Sequence, residues 1–246
     1  MGSLSKIAVV FDLFGTLVPI SPHLYRAMLH TMADAIGGDR ERFAQAWLSS
    51  KRDLETGNAG GLESSVRFVA VQVGLRPTSS SVNQAADAWL ETSRLRLAPS
   101  DRTLGCLEML RRRGHKIGLL TNCGADIPRT WPDGELASLV NYAGFSWKLG
   151  QMKPEEGAYL SVCAEMGAAP ESCIFVGDGG DRELTGAGKA GLHPVLLEYS
   201  PETGLGSNPL ELLSAFGSHS DALDWTGDRA SDLESAAGLL SDGSGV

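Results

Sequence analysis

The chain has 246 residues, 30 of them acidic and 21 basic, for a formal charge of −9, with 42% apolar and 21% charged side chains. That composition excludes a disordered chain and gives enough length for one α/β core with a modest inserted domain. Eight of the acids (Glu202, Glu211, Asp221, Asp224, Asp228, Asp232, Glu234, Asp242) face Arg229 alone beyond residue 200, which puts −7 in that stretch and leaves −2 for the rest.

A near-neutral body with an acidic end has no basic face for releasing counterions from nucleic acid, so no nucleic-acid partner is expected. No apolar run approaches the roughly 18–20 residues of a membrane span. Met1 to Lys6 run directly into a strand-like segment without the pattern of a signal peptide. The four cysteines, Cys106, Cys123, Cys163 and Cys173, form no CxxC pair, so neither a zinc knuckle nor a disulfide scaffold is expected and a cytoplasmic setting is the default.

In chain order, 6–11 is a continuous apolar, β-branched run of the kind a doubly buried parallel strand requires, and it ends at Asp12. From about 20 to 98 the period is helical. Ser21-Pro22 caps a first helix through Ile36, and Asp39 caps a second carrying Phe43, Trp47 and Leu54. Helices at 66–73 and 85–97 follow. Four helices without a strand predict an inserted helical subdomain over 19–98, between core segments 1–18 and 99–246. Beyond Pro99 strands and helices alternate: helix 101–113, strand 116–121, strand-like pieces near 138–146, helix 155–166, strand 173–177, helix 182–190, strand 194–197. Alternation of this kind implies parallel βαβ units. The end is less regular, with a short helix at 209–216, a last strand at 221–225 and a Ser231-x-x-Glu234 capping box for a final helix to Leu240.

Ligands of open parallel sheets bind at the carboxyl ends of the strands. Polar groups stand there in three places: Asp12 after Phe11, Thr121-Asn122 after Leu120, and Asp178 after Gly177. Lys153 opens a helix. Taken singly, each is better read as a cap, a loop start or a solvated lysine.

In this order they resemble the haloacid dehalogenase-like hydrolases with a helical cap inserted after the first strand. The resemblance rests on Phe11-Asp12-Leu13-Phe14-Gly15-Thr16-Leu17, on Leu120-Thr121-Asn122, on Lys153-Pro154, and on Val176-Gly177-Asp178-Gly179-Gly180-Asp181-Arg182-Glu183 with Gly186-Ala187 and Ala190-Gly191 beyond. It implies an α/β fold, a Rossmann-like parallel-sheet core with that cap, and a carboxylate nucleophile, Asp12, that divides a displacement into two steps. It also implies Mg²⁺ held by Asp12, the carbonyl of Phe14 and Asp178, with Glu183 at the second acidic position orienting water or Lys153 more than binding metal, and Asp181 ranked below it. Lys153 would neutralise Asp12 and the transferring group, and Thr121, beside Asn122, would hydrogen-bond its oxygens. Gly15 permits the turn after the nucleophile, and Gly15 and Thr16 lie on the substrate side.

One departure matters most. Phosphatases of this family carry a second Asp two residues after the nucleophile, and here that position is Phe14, which cannot transfer a proton. Several readings stay open. The chain is a phosphohydrolase of a small phosphorylated metabolite whose leaving group needs no proton or is protonated by another group. Alternatively it is a 2-haloacid dehalogenase acting on a halogenated carboxylate, with a cap arginine (Arg40, Arg42 or Arg52, Arg42 foremost) gripping that carboxylate. A phosphonatase using Lys51, the lone cap lysine, is a minor variant, and a catalytically weak binding protein is the last. Solvated arginines and lysine are the plainer reading of those cap cations. Trp47 and Trp89 are expected to pack, and Trp131 and Trp147 are candidates for the cleft. The acidic end reads as solvated, and a monomer or homodimer as the assembly.

Overall fold

The computed structural model describes residues 8–198, 200, 202, 204–206 and 220–240. The helix expected at 209–216 lies outside the described residues, as do the first two residues of the run at 6–11.

Six strands form one parallel sheet: β1 (Ala8–Phe11), β2 (Lys116–Thr121), β3 (Tyr142–Phe145), β4 (Cys173–Gly177), β5 (His193–Leu197) and β6 (Asp228–Ala230), in the order β3-β2-β1-β4-β5-β6. β1 is central because it is buried on both faces. Val9 and Phe11 join one apolar cluster and Ala8 and Val10 the opposite one. Helices cover both clusters: α6 (Asp101–Arg112) and α11 (Leu233–Gly238) the first, α9 (Glu156–Glu165) and α10 (Glu183–Lys189) the second, with the short α7 (Asp126–Thr130) and α8 (Ser146–Leu149) following β2 and β3. The sheet order reverses at β1, whose partners are β2 on one side and β4 on the other, with Phe11 opposite Leu119 and Val176. Asp12, Thr121 and Asp178 therefore leave three adjacent strands at one edge, the switch point at which parallel sheets bind ligands.

Between β1 and α6 lie α1 (Pro22–Ala35), α2 (Arg40–Ser49), α3 (Lys51–Glu55), α4 (Leu62–Gln72) and α5 (Ser79–Arg96), packed around a separate apolar cluster that includes Met28, Phe43, Trp47, Val66 and Trp89. Ser21, Asp39 and Thr78 cap α1, α2 and α5 by accepting backbone N–H groups. The expected second helix is two. It breaks at Ser50, whose N–H bonds back to Ala46 and Trp47 and whose hydroxyl is tied to Gln72.

The end also differs from expectation. Asp221–Leu223 is a 3₁₀ turn, and the last strand is β6. The Asp221 carboxylate accepts both the N–H and the hydroxyl of Thr185, at 2.9 and 2.8 Å, which pins that turn against α10. The cap of α11 is Asp232, which accepts the Ser235 N–H at 2.7 Å, and not Ser231. Among the described residues no helix is long and apolar enough to cross a membrane.

Candidate active site

Asp12 follows β1 and stays buried because the chain turns at once: Gly15, at φ 88°, donates its N–H to Val18 O at 2.7 Å. A side chain at that positive φ would be strained. Thr16, expected on the substrate side, is fully buried and donates its hydroxyl to Asp12 Oδ2 at 3.2 Å. It orients the carboxylate. Lys153 Nζ bonds Asp12 Oδ1, and Glu183 Oε2 at 2.5 Å, with 4% of the lysine side chain and 1% of the Glu183 side chain exposed. Burial opposes the Lys153 charge, but Asp12 and Glu183 outweigh it and hold the ammonium well above the ordinary lysine range. Glu183 is raised well above an ordinary carboxylate by burial, against the pull of Lys153 and with the repulsion of Asp12 and Asp178. Two buried carboxylates thus share one ammonium.

Carboxylate oxygens of Asp12, Asp178 and Glu183 lie within 4.8 Å of one another. Glu183 Oε1 accepts the Gly179 N–H at 2.9 Å, so both its oxygens have protein partners. Gly177 makes room for this arrangement, since a Cβ there would stand 2.1 Å from Glu183 Oε1 and 2.9 Å from the Phe175 ring. Gly177→Ala is expected to cost about 1–3 kcal/mol and to lower turnover by displacing Glu183 from Lys153. Urea melts read alongside initial rates check both, and an unchanged melting midpoint contradicts it.

Asn122 acts as a clamp. Its amide donates to Lys153 O at 3.1 Å and Asp181 Oδ2 at 3.0 Å and accepts the Lys153 N–H at 2.8 Å. The side chain expected among the catalytic groups therefore holds two loops in place. Thr121 lines the cavity beside it and donates only weakly, to Asn122 O at 3.5 Å. Asp181 and Arg182 both adopt left-handed backbone, at φ 51° and 56°. Such strain persists where neighbours over-determine it, and here Asp181 is gripped by Asn122 and by Lys51 of the cap at 2.5 Å.

Lys51, its side chain 36% exposed, is thus paired with the core and not free in solvent. Burial disfavours its charge, yet Glu55 and Asp181 hold it above the ordinary range. Further contacts join cap to core: Arg52 to Glu155 at 2.5 Å, Glu63 to Arg129 at 2.8 Å, Ser93 to Asp126 at 2.6 Å, and the Trp147 indole to Gly60 O at 2.9 Å.

The cap closes over a cavity of about 170 Å³, with Asp12, Thr121, Lys153 and Asp178 on the core side and Tyr25, Trp47, Lys51, Glu55, Trp89 and Arg96 on the cap side. Trp47 and Trp89 pack, with ring centroids 5.3 Å apart, and also line this space. Trp131 lies in the core against Phe145, and neither it nor Trp147 is among the lining residues. The Phe14 ring is covered by the Arg96 guanidinium at 4.3 Å, which also lies 5.3 Å from the Tyr25 ring.

Of the cap arginines singled out from sequence, none reaches the cavity. Arg42 is exposed on α2, Arg40 pairs with Asp34 at 2.7 Å, and Arg52 pairs with Glu155. The structure corrects Arg42 as a substrate-side residue: the turn that buries Phe43 and Trp47 points it outward. Arg42→Ala should leave KM unchanged and shift stability by less than about 0.5 kcal/mol, readable from saturation kinetics and a melt. Arg96, Glu55 and Tyr25 line the site without having been singled out. Their helical spacing carries no signal that separates a cavity-facing charge from a solvated one.

A family model described as haloacid dehalogenase-like hydrolase matches residues 8–191. A ribulose-1,5-bisphosphate 5-phosphatase of Halopiger xanaduensis is 26% identical over 210 residues, 80% of this chain and 86% of that protein. Among solved structures, a 2-haloacid dehalogenase of Pseudomonas syringae superposes with a TM-score of 0.68 at 18% identity, covering 96% of this chain and 99% of the other. A phosphatase of Thermococcus onnurineus superposes at 0.65 and 19% identity, covering 95% and 97%. At such identity the structural likeness establishes the fold alone.

Proposed function

Because this chain belongs to the haloacid dehalogenase-like hydrolases, we propose that it is a Mg²⁺-dependent phosphohydrolase of a small phosphorylated metabolite. The observation that carries the reading is the gathering of Asp12, Asp178 and Glu183 within 4.8 Å. A halide leaves as a stable anion and needs no such acidic set, whereas a phosphoryl group brings its own charge to an anionic nucleophile and needs it offset. The phosphatase named above supports the same choice.

The donor set fits the metal. Buried carboxylate oxygens are the hard ligands Mg²⁺ takes. With Glu183 engaged by Lys153 and Gly179, Asp12 and Asp178 with the main-chain carbonyl of Phe14 would hold it. When bound, it supplies Lewis-acid charge to the phosphoryl oxygens.

The chain's own groups do the rest. Asp12 attacks phosphorus and carries the phosphoryl group as an aspartyl phosphate until water releases it. Thr16 holds one Asp12 oxygen in line. Lys153 stays charged in both steps and lies against the transferring oxygens, which Thr121 meets from the end of β2. The cap excludes bulk water, and its aromatic wall selects the body of the substrate.

The test is a parallel assay of acetyl phosphate, p-nitrophenyl phosphate and 2-chloropropionate, with Mg²⁺ and with chelator. Phosphate release that requires Mg²⁺ and vanishes in Asp12→Asn is the expected result. Halide release indifferent to chelator overturns it in favour of a dehalogenase, and tight phosphate binding without turnover overturns it in favour of a binding protein.

A further inference from the structure

We propose that Glu55, carried on the cap, is the proton donor and acceptor that Phe14 leaves this site without. The assignment rests on the phosphohydrolase reading, and it begins with geometry. The place where a second carboxylate would stand holds the Phe14 ring under the Arg96 guanidinium, at 4.3 Å, so no proton can be exchanged there. Glu55 ends α3 and lines the same cavity as Asp12. Its Oε2 is buried without a hydrogen-bond partner among the described residues, and the nearest cation is Lys51 Nζ at 3.9 Å.

The other acids around the cavity are engaged. Asp12 and Glu183 share Lys153, Asp181 holds Lys51 and Asn122, Asp126 accepts the Ser93 hydroxyl, and Asp178 accepts the Gly180 N–H. Arginine does not deprotonate. Lys51 and Lys153 are held charged, burial pushes the Cys123 thiol well up, and burial and Glu55 push Tyr25 up to about 12. Glu55 is different. Burial lifts its carboxyl to about 7, moderated by Lys51 on its own helix and by Lys153, and reinforced by Asp181 beyond β4 and Asp126 after β2. A group balanced near neutrality can give and take a proton within one turnover.

The steps balance. Asp12 Oδ bonds to phosphorus while the bond from phosphorus to the ester oxygen breaks, and that oxygen takes the Glu55 proton and leaves as the alcohol. Water then attacks the aspartyl phosphate, gives its proton to the Glu55 carboxylate, and the phosphorus–Asp12 bond breaks to restore both acids.

The experiment compares wild type, Glu55→Gln and Lys51→Met, with Mg²⁺ present, on two aryl esters of similar shape. Phenyl phosphate leaves as a phenol about as weakly acidic as tyrosine, near 10, and needs the proton. p-Nitrophenyl phosphate leaves as a stable phenolate and does not. For wild type, kcat/KM on phenyl phosphate should fall tenfold per pH unit above about 7, because the acid form is lost there. Glu55→Gln should lose that limb and about 10²–10⁴ in kcat/KM on phenyl phosphate, while kcat/KM on p-nitrophenyl phosphate, which reports only as far as the aspartyl phosphate, is largely spared. Lys51→Met removes the cation that favours the carboxylate, so the limb should move to higher pH, which decides the matter should the glutamine variant not fold. Equal losses of kcat/KM on both esters, or an alkaline limb that survives Glu55→Gln or ignores Lys51→Met, overturn Glu55 while leaving the phosphohydrolase in place. A wild type that releases phosphate from neither ester overturns both.

Discussion

Lys153→Met is expected to cost about 3–5 kcal/mol of stability as well as activity. The lysine side chain is 4% exposed and bonds Asp12 and Glu183, themselves 7% and 1% exposed. Removing the ammonium leaves two buried carboxylates without a counter-charge, and the penalty is theirs more than the lost attraction. The deficit should depend on pH in a stated direction. The Glu183 carboxyl binds its proton more tightly folded than unfolded, so protonation favours the fold below its unfolded value and the benefit is lost as pH rises through the folded one. Glu183 already lies above its ordinary range with the lysine present. The urea midpoint of Lys153→Met should therefore recover toward acid pH and be lowest at alkaline pH. Adding Glu183→Gln removes one of the two stranded charges and should restore much of the stability, with no return of turnover. A single variant as stable as wild type at pH 8 contradicts the ion-pair account.

Asp12→Asn is expected to do the reverse. The nucleophile is gone, and turnover should fall by something on the order of 10⁴–10⁶. Stability should move far less than in Lys153→Met, because the ammonium keeps Glu183 at 2.5 Å. Single-turnover rates and urea melts of the two variants separate a group that reacts from a group that also holds the site together. Residual turnover within tenfold of wild type contradicts a nucleophilic Asp12.

The core of the site was legible because its residues are tied to strand ends. An apolar run closed by Asp12, a second closed by Thr121 and a third followed by Asp178 meet once β1 lies between β2 and β4. The family resemblance supplied the parallel-sheet core and the place of Lys153. The roles shifted where hydrogen bonds decide them: Thr16 turns inward to Asp12, and Asn122 holds two loops by its side-chain amide. The cap was legible as helices and not as a wall. Arg42 and Arg96 are both arginines on amphipathic helices, and only the packing of α5 against the core puts one over Phe14 and leaves the other in solvent. Lys51 and Glu55 stand one turn apart on a five-residue helix whose existence depends on the break at Ser50, a tertiary effect of Gln72. Asp221 is the same lesson in the acidic end. Its charge looked solvated, yet it is buried and caps Thr185 of α10.

The central claim is that Asp12 takes the phosphoryl group covalently. Its most direct test is acid quenching during turnover of p-nitrophenyl phosphate with Mg²⁺, followed by proteolysis and mass analysis of the peptide that contains Asp12. The account predicts that this peptide gains the mass of one phosphoryl group in wild type and in Glu55→Gln, and none in Asp12→Asn. An enzyme that turns over steadily with the Asp12 peptide unmodified would contradict it, as would an adduct formed there from 2-chloropropionate and not from the phosphate ester.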